Sequence, residues 1–285
     1  MTSPRTLLAA HNIRPKKQLG QNFLTDPTTA AMIVNRSGIT ANDYVLEIGA
    51  GFGALTIPAA GLAQKVYAVE TDRKIIDVLK TEILLNNLAN VVVMQKNILY
   101  IDIKAMAENI GHKIVIIGNL PYNISSQILV KLIKSRIMVN RAVLMFQKEL
   151  AQRIAAQPGS KEYGRITVML QYCAEIKKLA EVKASLFHPK PKVNSEVIEI
   201  KFKKRPEYLA DDETFFHRVI KAAFANRRKT LKNSLAGSEL KIDGNTAKHV
   251  LENSGIDYMR RAETLCIEEF VNLSNNIGST LNRDL

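Results

Sequence analysis

Two short strings in this chain of 285 residues carry groups that could do chemistry together. The first, Val45-Leu-Glu-Ile-Gly-Ala-Gly-Phe-Gly53, closes an apolar strand pattern on a glycine turn. Gly49, Gly51 and Gly53 let the backbone bend sharply and approach a ligand with no Cβ in the way, which suits a nucleotide at the carboxyl edge of a parallel sheet. Glu70 lies 21 residues beyond Gly49, at the end of the next strand pattern, where a carboxylate can take both hydroxyls of a ribose. Gly49-x-Gly51-x-x-Ala54 also fits the dinucleotide fingerprint, so two ligand classes stay open here. Glu47, inside the strand, tilts the reading toward the E-x-G-x-G-x-G arrangement of S-adenosylmethionine sites.

The second string, Asn119-Leu-Pro-Tyr122, follows another strand pattern and falls at the same sheet edge. Pro121 excludes the helical region for Leu120 and removes a backbone donor, so the turn stays extended and presents carbonyl acceptors beside the Asn119 side-chain oxygen. An exocyclic amine such as adenine N6 offers two N–H donors to such a pair, and Tyr122 supplies a flat face for the base. Amines of this kind are poor nucleophiles because the lone pair is delocalised into the ring. Hydrogen bonds that draw the nitrogen toward pyramidal geometry restore it, and a sulfonium methyl is a matching electrophile. No strong base is required, since the methylated nitrogen is briefly cationic and loses its proton readily.

These strings need a parallel sheet to hold them. Strand patterns are expected at 44–48, 65–70, 91–95, 113–118, 141–147, 175–182 and 196–202, with helices at 72–85, 125–135 and 148–156 between them. Only the last two strands lack a helix between them, the connection being Ser185-Leu-Phe-His-Pro-Lys-Pro-Lys-Val-Asn-Ser195, which predicts an antiparallel hairpin at a sheet edge. Beyond Phe202 no further strand pattern occurs. Phe215, Phe216, Val219, Ile220, Ala223 and Phe224 recur at helical spacing, as do segments around 248–252 and 267–273. The expected architecture is α/β with a smaller all-α C-terminal domain, divided as 1–204 and 205–285.

Composition narrows the partners. The chain is 46% hydrophobic and has a net charge of +13, so disorder is excluded and polyanions are favoured. The bases are uneven: Arg5, Arg14, Lys16 and Lys17 stand without an acid in the first 25 residues, and five more occur from Lys221 to Lys232. No apolar run reaches the ~18 residues of a membrane span, and no secretory signal is evident. Cys173 and Cys266 match neither a disulfide framework nor a metal spacing, and the five histidines form no triad; a metal-free site in a reducing, cytoplasmic compartment is expected.

Five strings together resemble the small-subunit ribosomal RNA adenine dimethyltransferases, the KsgA/RsmA family. They are the two above, Lys16-Lys-Gln-Leu-Gly-Gln-Asn-Phe-Leu24, Phe187-His-Pro-Lys-Pro-Lys-Val-Asn-Ser195 and Phe224-Ala-Asn-Arg-Arg-Lys-Thr-Leu-Lys-Asn233. The resemblance implies a Rossmann-like, seven-stranded class I S-adenosylmethionine-dependent methyltransferase fold. It implies that residues 1–25 close over the cofactor through Gln21, Asn22 and Leu24, and that Gly49, Gly51, Glu70 and Asn119 contact it. Asn97 stands where the family usually has Asp; its side-chain oxygen can still meet the adenine amino group, with cofactor affinity the property affected. Asn119, Leu120, Pro121, Tyr122 and Phe187 would hold the target adenine, with stacking on Tyr122 and Phe187. The string from Phe224 resembles an RNA-facing helix with Arg227, Arg228, Lys229 and Lys232 as phosphate contacts, and Lys148, Arg153 and Arg165 are further RNA candidates. The implied reaction dimethylates N6 of two adjacent adenines in a hairpin loop near the 3′ end of 16S rRNA, in an assembling 30S-type particle, by a monomer. The rivals are a large-subunit adenine methyltransferase conferring macrolide resistance and a noncatalytic assembly factor of the same fold.

Overall fold

A computed structural model describes residues 2–283. The chain divides into two compact units, one running up to Ala151 and resuming at Glu175–Phe202, the other comprising Gln152–Ala174 and the chain from Lys203 onward. The sequence places a single boundary near residue 204; in the structure the segment 152–174 packs with the later helices, because its apolar residues Tyr163, Val168 and Leu170 are buried there.

The strands are β1 (Phe23–Leu24), β2 (Tyr44–Ile48), β3 (Lys65–Glu70), β4 (Val91–Gln95), β5 (Ile114–Asn119), β6 (Val139–Gln147), β7 (Ala174–Val182), β8 (Phe187–His188) and β9 (Ser195–Phe202). Seven of them form one sheet in the order β4-β3-β2-β5-β6-β9-β7. From β4 to β6 all pairs are parallel, and β9 lies antiparallel to β6. In β5, Ile114, Val115, Ile116 and Ile117 are all at most 1% exposed, the continuous apolar run of a strand covered on both faces. All seven sequence-predicted strands are present, shifted by at most two residues at their starts.

The chain moves outward from β2 through β3 to β4, then returns to place β5 on the other side of β2. That reversal opens a crevice beyond the carboxyl ends of β2 and β5, where open α/β sheets bind ligands. The register pairs Glu47 with Ile117, so Gly49, just past the end of β2, and Asn119, the last residue of β5, come out side by side.

Before the sheet, Pro4–Ala10 forms a helix capped by Ser3, whose Oγ accepts from Thr6 N–H. Leu7, Leu8 and Ile13 are buried with Phe23, Phe52, Ile75 and Val78, so the basic N-terminal segment is anchored by its apolar side. A two-residue antiparallel bridge then joins β1 to β8, pairing Leu24 with Phe187 and Phe23 with His188.

The second unit holds helices Arg165–Cys173, Glu213–Ala223, Leu231–Ala236, Gly244–Asn253 and Ile267–Arg283. Phe216 meets Tyr172 at 4.6 Å between ring centroids and Phe224 stacks on Phe270 at 5.7 Å. Residues 224–230, expected as helix, form a turn instead: the helix before them ends with Phe224 as its C-cap, and Thr230 caps the next.

Candidate functional site

The glycine turn leaves β2 with φ of +75° at Gly49, +55° at Gly51 and +89° at Gly53, values that side chains other than glycine's rarely allow. A Cβ at Gly51 would lie 3.2 Å from the Phe23 ring, so the turn is lidded by β1. Gly51 N–H donates to Glu70 Oε2 at 3.1 Å, and Glu70 Oε1 accepts from the backbone N–H of Thr71 at 2.7 Å and Asp72 at 3.0 Å. The carboxylate is thus fixed at the floor of a cavity lined also by Gln21, Asn22, Leu24, Gly49, Asn97 and Asn119. Glu47 lies beside it, 1% exposed, with Thr56 Oγ1 donating to its Oε2. Burial, reinforced by the nearby charge of Glu70 and opposed by the Thr56 hydrogen bond, pushes the Glu47 carboxyl up to about 8.

Asn119 ends β5, and Leu120, 1% exposed, carries the ladder one step further by donating its N–H to Met145 C=O at 3.2 Å. Pro121 C=O is taken by Ile124 N–H at 3.3 Å and Ser125 Oγ at 2.9 Å. The Leu120 carbonyl accepts from none of the described residues. Asn119 Nδ2 donates to Asn22 C=O at 2.8 Å, which leaves Oδ1 as the outward end of the amide. Two acceptors therefore stand together at the sheet edge, with Tyr122 half-buried after them. The Tyr122 hydroxyl lies 3.4 Å from Ser195 Oγ, and burial raises its pKa against that hydrogen bond.

The strap of residues 16–24 lies across this edge. Gln21 spends its amide within the protein, Nε2 donating to Asp72 Oδ2 at 3.3 Å and Oε1 accepting from Lys16 N–H at 2.7 Å. Its expected role as a cofactor contact therefore falls to the surface its side chain leaves on the cavity wall. Asn22 turns its own amide onto Gly20 C=O at 3.1 Å, and Leu24 is buried. Asn123 Nδ2 donates to Gln18 C=O at 3.0 Å. Asn97 caps the short turn Ile98–Tyr100, its Oδ1 accepting from Leu99 N–H at 2.9 Å. Asn97 lines the cavity, and the oxygen keeps a second lone pair beside the one that Leu99 N–H takes.

Residues 12–273 match the ribosomal RNA adenine dimethylase family. The chain belongs to that family. It is 50% identical to the ribosomal RNA small subunit methyltransferase A of Desulforapulum autotrophicum over 279 residues, 98% of each chain, and 43% identical to that of Magnetococcus marinus over 271 residues, 95% of each. Its structure is similar to a dimethyladenosine transferase from Plasmodium falciparum, with a TM-score of 0.76, 27% identity and coverage of 90% of this chain and 98% of the other. The 23S rRNA methyltransferase ErmE shares the fold, with a TM-score of 0.68 at 22% identity over 90% of this chain and 99% of that one. The sheet with its helices is accordingly the Rossmann-like class I methyltransferase fold.

Among the remaining residues expected from this dimethylase's sequence, Phe187 is 4% exposed and shares a core cluster with Leu24, Val182 and Val197. In the second unit, Arg227 donates to the carbonyls of Lys161 and Tyr163 and so fastens one loop to another, while Arg228 and Lys229 are exposed in the turn. Lys232 Nζ lies 5.9 Å from the Tyr258 ring centroid, which Lys248 Nζ approaches to 5.0 Å. Lys148, in the first unit, pairs with Glu181 at 3.5 Å; Arg153 and Arg165 belong to the second. The side chain of Lys17 lies outside the described residues. The sequence reading missed Gly20, Asp72 and Ser195, all drawn into the site by long-range contacts; Asp72 carried one local signal, its place just before a helix.

Proposed function

We propose that the chain dimethylates N6 of two adjacent adenines in a hairpin loop near the 3′ end of small-subunit rRNA, four methyl groups in all, with S-adenosylmethionine as donor. The observation that carries this reading is Asn119, whose amide nitrogen is held by the Asn22 carbonyl so that Oδ1 is left to accept, with the Leu120 carbonyl, unpaired among the described residues, next to it in the chain, beside a glycine turn at the switch point of the sheet. The cavity suits the donor: positive-φ glycines leave the backbone bare, and the Glu70 carboxylate is held by three N–H groups at the position for a ribose. When bound there, S-adenosylmethionine supplies an electrophilic sulfonium methyl. Gly49 and Gly51 would hold its methionine portion, Glu70 its ribose, and the Asn97 amide and Ile98 its base.

The protein's own groups do the rest. Asn119 Oδ1 and Leu120 C=O accept hydrogen bonds from the amine N–H groups, two in the first transfer and one in the second, and localise the lone pair on N6, which sheds a proton to solvent once methylated. Tyr122 stacks on the base, and Phe187, buried within β8 and paired with Leu24, acts from behind by supporting that strap residue. Loop adenines suit this site because splaying them from a loop costs less than from a duplex. The substrate is an assembling 30S-type particle, reached in the cytoplasm by a monomer. The net charge of +13 and the exposed Arg228 and Lys229 support binding to RNA phosphates, with Lys148, Arg153, Arg165 and Lys232 as further contacts. Among the described residues, no helix is long and apolar enough to cross a membrane.

The test is incorporation of labelled methyl groups into undermethylated small subunits and, in parallel, large-subunit RNA, with Asn119→Ala beside the wild type. Label recovered as N6,N6-dimethyladenosine in small subunits alone, and lost in the variant, is the expected result. Label in large-subunit RNA would instead place the chain with the resistance methylases.

A further inference from the structure

The strap is fastened by two residues that lie just outside the cavity lining, Lys16 and Asp72. Asp72 is buried at the start of helix Arg73–Leu85, where its Oδ1 accepts from Lys74 N–H at 3.2 Å. Its Oδ2 faces the strap and takes Lys16 Nζ at 2.8 Å together with Gln21 Nε2 at 3.3 Å. Burial alone would push this carboxyl up, but the hydrogen bonds from Lys16 and Gln21, with the Lys16 charge, hold it below the usual range. One residue beyond Gln21, the Asn22 carbonyl accepts from Asn119 Nδ2 at 2.8 Å. The contact between strap and turn is close along its length: a Cβ on Gly20, itself at φ +63°, would lie 3.3 Å from Pro121 Cβ and from Tyr122 N.

We propose that Lys16 and Asp72 are positioning residues for methyl transfer, their ion pair seating the strap so that the Asn22 carbonyl holds the Asn119 amide with its oxygen toward the target amine. This rests on the reading of Asn119 as an acceptor. Neither Lys16 nor Asp72 lines the cavity, so neither touches a reacting atom. Their effect passes through a choice between the two ends of one amide. With the nitrogen held by Asn22, Oδ1 meets an N–H donor of the substrate. With the strap unseated, the amide is free to turn, and an NH₂ group facing the amine would replace an attraction by a repulsion between donors. Seating the strap therefore completes the acceptor pair as well as covering the donor site, and its loss slows the reaction even when the donor site is filled.

Lys16 is about half exposed, so Lys16→Met removes the charge without opening a cavity, although it takes the counter-charge from the buried Asp72 carboxylate, and Asp72→Asn removes that carboxylate while keeping the helix cap. Methyl transfer to undermethylated small subunits is measured with both substrates saturating, and binding of labelled S-adenosylmethionine is measured separately. Lys16→Met is expected to lower kcat about tenfold, a part of the roughly hundredfold that a misplaced reacting group can cost. The double variant should be no slower than Asp72→Asn, and Lys16→Arg should restore most of the rate. An unchanged kcat with only the KM for S-adenosylmethionine raised would overturn the inference, as would single effects that multiply in the double variant. A wild type that labels no small subunits would instead remove the acceptor reading itself, and with it this role.

Discussion

Replacing Glu47 by Gln tests the electrostatics at the heart of the site. The carboxyl is 1% exposed, and its pKa stands at about 8 against an ordinary 4.5. Between those values the folded chain keeps a proton that the unfolded chain releases, so stability falls as pH rises through the window and the loss is complete above about pH 8. One proton contributes a slope of about 1.4 kcal/mol per pH unit, so the whole window amounts to roughly 5 kcal/mol. Gln has the shape of the protonated acid and can still accept from Thr56 Oγ1, but it has no proton to lose. Urea unfolding of wild type and Glu47→Gln at pH 5, 6, 7, 8 and 9 isolates this group and its coupling to Glu70, because titrations not coupled to it cancel in the difference. The variant should gain on the wild type steadily from pH 5 to pH 8 and then level off. Parallel stability profiles for the two proteins would show that Glu47 is ionised in the fold at neutral pH and would refute the burial argument.

Tyr122→Phe should leave methyl transfer within about threefold of wild type, because its hydroxyl partner Ser195 is at the 3.4 Å limit of a useful hydrogen bond, whereas Tyr122→Ala should cost on the order of a hundredfold in kcat/KM by removing the stacking face. Asn97→Asp, read by equilibrium dialysis, should tighten S-adenosylmethionine binding by about threefold to tenfold, since a carboxylate can cap Leu99 N–H with one oxygen and offer the other to the adenine amine. Arg228→Ala and Lys229→Ala should each lower the slope of log K against log salt for subunit binding by about 1, with donor binding unchanged. Arg227→Ala should in addition lower the thermal midpoint, because that guanidinium ties down Lys161 and Tyr163.

The parts of the fold legible in the sequence were those with local periodicity. The parallel strands announce themselves as apolar runs, and β5 does so because it is covered on both faces. The glycine turn and Asn119-Leu-Pro-Tyr122 were legible because each constrains its own backbone. What could not be read were the contacts made across long separations: the carbonyl of Asn22 on Asn119, 97 residues away, and Asp72 on Gln21, 51 residues away. The helix expected from Phe224 failed for a related reason. Its residues have acceptable helical propensity, but Phe224 is drawn onto Phe270 and the chain must turn to begin the helix at Leu231. Phe187 also illustrates the limit, since a loop aromatic beside prolines reads as exposed until the pairing of Leu24 with Phe187 places it in the core.

The interleaving of the two units along the chain has a consequence for biosynthesis. The sheet cannot be finished until Ser195–Phe202 has left the ribosome, because β9 fills the gap between β6 and β7. The segment Gln152–Ala174 is made earlier, yet its partners lie beyond Lys203. During translation it therefore waits, with Tyr163, Val168 and Leu170 uncovered, for helices made later, Ile267–Arg283 among them. A nascent chain in that condition presents apolar surface for as long as the later helices take to be synthesised, the interval in which a holding chaperone has most to offer.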